Sequence, residues 1–361
     1  MISDEALELA VGRGIVSAEQ AGALRALARE HDVAGVREPQ DDERLRFISG
    51  FGDVFVTIGL SLFLGSAAYF IYQAAGPLPM WAGLAIMSWL LAEFFTRVRR
   101  MALPSIVLLI VFALTSFFAL ATALGTDMAA ARPFSSPTGP LGLLGLIFTE
   151  PMTVAGVALL TAGLVAAHYW RFRVPVTIAA GAAAVAAAML AFAFALAPGP
   201  TMQAMNLLLL MCGLAIFALA MRFDMSDPQR LTRRTDIAFW LHLLAAPLIV
   251  HPLISGLLGG RGRADPETAV AILAVFLALA FVAVIVDRRA MLVSGLTYAG
   301  VAFSTLLRQS ALADRTMPAT LLALGAFVLL LSAGWRPLRR AILSALPGAF
   351  ARRLPNPAAS V

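Results

Sequence analysis

The run Pro104-Ser-Ile-Val-Leu-Leu-Ile-Val-Phe-Ala-Leu-Thr-Ser-Phe-Phe-Ala-Leu-Ala-Thr-Ala-Leu124 holds no charged residue; Arg97, Arg99 and Arg100 precede it and Gly125-Thr-Asp-Met follows. About 20 apolar residues in a helix cross a hydrocarbon core roughly 30 Å thick. This run therefore reads as a transmembrane helix with arginines at one end only. Its apolar residues are continuous and do not alternate with period two, which favours a helix over a barrel strand.

Working outward, comparable stretches cover residues 52–74, 79–96, 152–170, 174–197, 201–221, 236–258, 268–287, 290–308 and 317–335. With 60% apolar and 13% charged residues and a mean hydropathy of +0.85, a soluble fold of this size would expose too much hydrocarbon to stay in solution. The expected fold class is all-α: a polytopic membrane protein of about ten transmembrane helices. Its transmembrane domain spans 52–335, preceded by a helical hairpin at 1–34 and a linker at 35–51, and followed by a basic tail at 336–361.

Every basic side chain in the chain, 27 in all, is an arginine. Taking the intervening segments alternately, 22 arginines fall with the two termini and 5 on the other side. Basic loops stay cytoplasmic, so the expected topology is ten spans with both termini inside. The formal charge of +6 is thereby a consequence of topology, and nucleic-acid binding is not needed to explain it. Residues 1–46 lack the short apolar run of a secretory signal, so the first span is expected to direct insertion. The absence of lysine beside abundant alanine, glycine and arginine suggests a GC-rich bacterial genome, and hence the inner membrane. Cys212 is the single cysteine, which excludes an intramolecular disulfide or a cysteine metal cluster.

The N-terminal segment has its own punctuation. Ser3 with Asp4 and Glu5 reads as a helix start, Gly12 and Gly14 end that helix, and Ser17 with Gln20 forms a capping box for a second helix running to about His31. Two such helices bury too little to stand alone. They are expected to dock on the membrane domain, on a second copy, or on a protein partner for which they form the binding module. Residues 35–43, with Pro39 and consecutive acids, read as a flexible link.

The segment Arg13-Gly-Ile-Val-Ser-Ala-Glu-Gln-Ala21, followed by Phe47-Ile-Ser-Gly-Phe-Gly-Asp-Val-Phe-Val-Thr-Ile-Gly-Leu60, resembles the opening of the DUF2157 group of predicted bacterial membrane proteins. The resemblance covers roughly the first 70 residues. It implies a soluble helical pair ahead of a glycine-bearing first span and a string of further helices, with no assigned activity and no catalytic residues.

Charged groups within a bilayer are costly and mark function. Asp53, Glu93, Asp236 and Asp287 all lie near predicted cytoplasmic helix ends, within reach of Arg46, Arg97, Arg234 and Arg288, and read as topology anchors. The seventh span differs: Asp236-Ile-Ala-Phe-Trp-Leu-His-Leu-Leu-Ala-Ala-Pro-Leu-Ile-Val-His-Pro252 carries His242 and His251 around Pro247, with Pro252 beyond. Proline frees carbonyls inside the membrane, so Pro247 and Pro252 form a candidate helix break. His242, His251 and the outer sixth-span residues Gln203 and Asn206 form a candidate intramembrane polar site. Nine residues place the histidines about 180° apart on an undistorted helix, so a shared site requires the break to rotate them.

The alanine-rich fifth span, Ala179 to Ala188, permits close backbone approach and is expected to be the central helix. The loop from Gly125 to Pro151, with its apolar stretch Leu141 to Phe148, is expected to be a mobile or interfacial segment or a lid. No Walker loop, HExxH or GxSxG is present, and no histidine or carboxylate set has metal-ligand spacing. No catalytic residue, metal or cofactor is expected, and an enzyme is disfavoured. Two functional classes remain: a non-enzymatic membrane protein whose hairpin binds or senses a partner, or a small-molecule permease with a polar site between spans six and seven.

Overall fold

A computed structural model describes residues 4–24, 26, 51–125, 150–227, 232–258, 265–307 and 316–345. The chain divides into two units, residues 1–47 and 48–361. In the first, α1 runs over Asp4–Gly12 and a second helix, α2, over residues 18–24. Gly14 makes the turn between them with φ +66°, a conformation open to glycine. The capping box at α2 forms as expected: the Ser17 amide donates to Gln20 Oε1 at 2.9 Å and the Gln20 amide donates to Ser17 Oγ at 3.1 Å. Ser3 and the linker at 35–50 lie outside the described residues.

In the second unit the helices are α3 (Phe51–Ala75), α4 (Pro77–Ala92, continued as a π-helix over Glu93–Val98), α5 (Ala102–Ala123), α6 (Pro151–Phe172) and α7 (Val176–Leu196). A six-residue helix, Pro198–Gln203, leads into α8 (Met205–Met225), followed by α9 (Arg233–Leu258), α10 (Pro266–Val286), α11 (Ala290–Leu307) and α12 (Thr316–Ala345). Pro77, Pro151 and Pro266 open their helices, where the missing amide costs nothing. Asp265 caps α10 by accepting from the Thr268 amide at 2.8 Å.

Among the described residues no strand occurs, and nine helices are long and apolar enough to cross a membrane. The protein is an integral membrane protein of the helical, multi-pass type. A tenth helix, α11, coincides with the expected ninth span. The 125–151 loop lies outside the described residues apart from its ends.

Two boundaries differ from the hydropathy reading in ways that matter. The sixth span does not begin at 201: residues 198–203 form the separate short helix, and α8 runs on to Met225, carrying Asp224 within it. The last helix does not end at 335 but continues through Pro337 to Ala345, so Arg336, Arg339 and Arg340 sit on a helix. Hydropathy ends both spans early because charged residues look like loop residues in a hydropathy profile, even where, as at Asp224 and Arg339, they are buried against protein.

The central helix is α9. Of its apolar stretch 56% is buried, against 22% for the alanine-rich α7, which corrects the expectation placed on that fifth span. Small residues of α7 still serve α9: Ala179 and Ala186 join Ile216 and Ala220 of α8 in a cluster around Ile237, Leu241, Ala245 and Ile249. Lipid is as apolar as leucine, so such packing holds membrane helices together where the hydrophobic effect does not. A close approach of backbones occurs at Gly213 of α8, where a Cβ would stand 2.8 Å from Ile249 Cγ1 and 2.9 Å from the Leu248 carbonyl carbon.

Helix α9 remains helical through both Pro247 and Pro252. The expected helix break is therefore not an interruption of the helix.

Candidate functional site

At one end of the α8–α9 pair, three ionisable side chains meet out of contact with solvent. Asp224 and His242 are 0% exposed and Arg288 is 2% exposed. The imidazole Nε2–H of His242 donates to Asp224 Oδ2 at 2.9 Å, since an ionised carboxylate can only accept. Arg288 grips the same carboxylate with both arms of its guanidinium, Nε donating to Oδ2 at 3.1 Å and Nη2 to Oδ1. Its Nη2 also donates to the Thr235 carbonyl oxygen at 3.3 Å. Two parallel charge-assisted bonds are the strong, geometrically specific form of this pair. Phe217 sets its ring against His242 at 5.2 Å between centroids.

The local chain explains how these groups converge. The turn between α8 and α9 is tied by Asp227, whose Oδ2 accepts from the Thr232 amide at 2.8 Å, the Thr232 hydroxyl at 2.6 Å and the Thr235 hydroxyl at 3.0 Å. After α10, Asp287 takes a left-handed conformation, φ 61°, which turns neighbouring side chains in different directions. Arg288 enters the α8–α9 cluster. Asp287 instead accepts from Trp335 Nε1 at 2.7 Å and lies 3.8 Å from Arg339 Nε.

The expected anchors fare differently from one another. Glu93 is paired, but Arg171 of α6 is its closer partner, with two bonds of 2.8 Å, and Arg97 stands at 3.4 Å. Asp287 has Trp335 and Arg339 beside it, not Arg288. Asp53 is buried in the first turn of α3, and its expected partner Arg46 lies outside the described residues. Asp236 is half-buried in the first turn of α9, and Arg234 is exposed.

The expected polar site divides in two. His242 belongs to the buried cluster, whereas His251 lies toward the opposite end of α9, exposed, with Nδ1 bonded to the Tyr298 hydroxyl at 2.5 Å. One turn further on, the Ser255 hydroxyl donates to Asn206 Oδ1 at 3.2 Å. Gln203 stands exposed at the end of the short helix before α8. His251 and Asn206 thus share one end through adjacent turns of α9, and His242 does not join them: its partner is Asp224, at the other end of the helix pair.

Asp224 is the residue that sequence reasoning missed. It sits past the apparent end of the sixth span, 18 residues from His242 and 64 from Arg288. The one signal for it was its place in a short, acid-bearing turn directly before the histidine-bearing span. His168 is also buried, enclosed by Trp89, Phe112 and Phe172 at 5.6, 5.4 and 4.5 Å between ring centroids. Among the described residues no three His, Cys, Asp or Glu side chains converge as a metal site.

Between its two polar ends the α8–α9 pair is sealed by Leu209, Ile216, Leu241, Ala245 and Ile249, with Gly213 pressed onto Leu248 and Ile249. This arrangement can hold charge out of water at one end, offer hydrogen bonds at the other and block passage between them. Comparison of the chain with protein-family profiles, with curated proteins and with solved structures gives no match, and the DUF2157 resemblance is neither supported nor contradicted by it.

Proposed function

We propose that this chain is a ten-span bacterial inner-membrane protein with both termini cytoplasmic, and that it is a non-enzymatic small-molecule permease whose pathway runs between α8 and α9. The observation that carries the proposal is the Asp224–His242–Arg288 cluster, an ionisable network buried at a helix interface where charge is expensive and marks ion or substrate pathways. The arginine asymmetry supports a cytoplasmic end for this cluster and an outer end for the Asn206–Ser255 and His251–Tyr298 pairs. Histidine joined to a carboxylate is a proton-exchanging unit, and Arg288 is the cation bonded to the same carboxylate. Transfer of the Nε2 proton of a protonated His242 to Asp224 Oδ2 would leave a neutral imidazole and a neutral carboxyl, weaken the carboxyl's bonds to Arg288 and free α9 to shift on α8.

Cys212, half-buried in the seal beside Gly213, reports on such a shift. The test is a thermal-shift screen of the purified protein against metabolites, lipids and drugs, followed by maleimide labelling of Cys212. A ligand bound only by the folded state raises Tm. The expected hit also alters the labelling rate of Cys212, and both effects disappear in His242→Ala and Asn206→Ala. Silence across the panel, with Cys212 labelling unaltered by either variant, would remove the permease reading.

A second reading has an observation of its own: the hairpin at 1–34 leaves Leu9, Ile15 and Leu24 exposed, a surface suited to a protein partner or a second copy. Deleting residues 1–34 should then abolish the cellular role while leaving ligand binding and membrane insertion intact. An unchanged phenotype in cells that need the protein would end that reading.

A further inference from the structure

Helices α10, α11 and α12 enclose an apolar groove in two connected parts, each with a cavity volume of about 230 Å³. Both parts share Phe276 and Phe327; one leads to Arg289 and Trp335, the other to Phe303 and Leu324. We infer that this groove binds one acyl chain of an anionic phospholipid, with the phosphate held at its arginine end. Its lining residues belong to α10, α11, α12 and the turn at Arg289, and the inference does not depend on the permease reading.

Three features select that occupant. The walls are hydrocarbon along their length, as a chain in a bilayer requires. From Trp335 to Ala323 the groove follows α12 for about 18 Å at 1.5 Å per residue, close to the roughly 15 Å of one bilayer leaflet. The charge sits at one end only: the Arg289 guanidinium lies over the Trp335 ring, 5.2 Å from its centroid. Ser332, which lines the groove, begins a stripe continued at i+4 spacing by Arg336 and Arg340. Trp335 is held in place by its bond to Asp287, so the ring that carries Arg289 is fixed from beneath. A tryptophan and basic side chains at the rim of an apolar slot match the headgroup level of a membrane.

The test uses the full chain, delipidated in detergent, with phosphatidylglycerol and phosphatidylcholine of identical acyl chains as probes, read by native mass spectrometry and by Tm. Phosphatidylglycerol should bind more tightly than phosphatidylcholine, by roughly fivefold per contributing arginine. Arg289→Gln with Arg340→Gln should erase that preference while leaving weak binding of both lipids. Val328→Trp, which fills the groove from its exposed side, should lose both, whereas Leu62→Trp on the exposed face of α3 should change neither. Equal binding of the two lipids, or equal losses in Val328→Trp and Leu62→Trp, would reduce the groove to ordinary bilayer contact and overturn the inference. A dimer that Val328→Trp dissociates would overturn it in favour of a second copy.

Discussion

The two ends of the α8–α9 pair hold similar chemistry in different surroundings. At one end, Asp224, His242 and Arg288 are fully desolvated and bonded to one another. At the other, Asn206, Ser255, His251 and Tyr298 form two separate pairs, with Asn206 and His251 exposed. A buried charge without its partner carries a heavy penalty, whereas an exposed hydroxyl or imidazole exchanges one hydrogen-bond partner for another. The first end can therefore act as an all-or-none latch, and the second only as a set of adjustable contacts.

The strongest way to break this contrast is Asp224→Ala. It leaves Arg288 buried without its carboxylate, and removing one partner of a buried ion pair costs about 3–5 kcal/mol; thermal unfolding in detergent should show a steep fall in Tm or no recoverable protein. Replacing both members, Asp224→Leu with Arg288→Met, should recover most of the stability, since an apolar pair removes the desolvation penalty along with the charge. A double variant no better than the single would mean that the cluster is not the latch.

Gly213→Ala comes next. Its methyl must push against the Leu248 carbonyl carbon and Ile249, and overpacking of this kind costs about 1–3 kcal/mol. The expected signs are a lowered Tm and faster maleimide labelling of Cys212 as α8 moves off α9. His242→Ala should cost about 2 kcal/mol, the worth of a hydrogen bond to a charged group, because Asp224 keeps both bonds to Arg288. Smallest of all is Tyr298→Phe at the exposed end, where loss of the bond to His251 should cost about 0.6 kcal/mol. A Tyr298→Phe effect as large as that of His242→Ala would erase the distinction between the two ends.

Much of the architecture was legible because a bilayer imposes one length and one polarity on every span. The run from Pro104 to Leu124 became α5, and the capping box at Ser17 and Gln20 formed from residues three apart, needing no tertiary information. Legibility failed wherever a polar residue is buried against protein. Asp224 looked like part of a loop because its carboxylate is satisfied by Arg288, 64 residues away. Asp287 and Arg288 look like a natural adjacent pair, yet the left-handed turn at Asp287 sends them to different partners. The alanines of α7 signalled close packing but not which helix would be the hub, since small residues permit approach from any neighbour.

What the sequence determined by itself was the class of the molecule and the candidate spans, since hydrocarbon content and local caps act over distances shorter than one helix. Only the tertiary structure decided that α9 is the centre, that His242 and His251 serve opposite ends, and that Asp224 completes a charge cluster with Arg288. Those outcomes depend on which helix faces meet, and side-chain packing between helices has no counterpart in the spacing of residues along one of them.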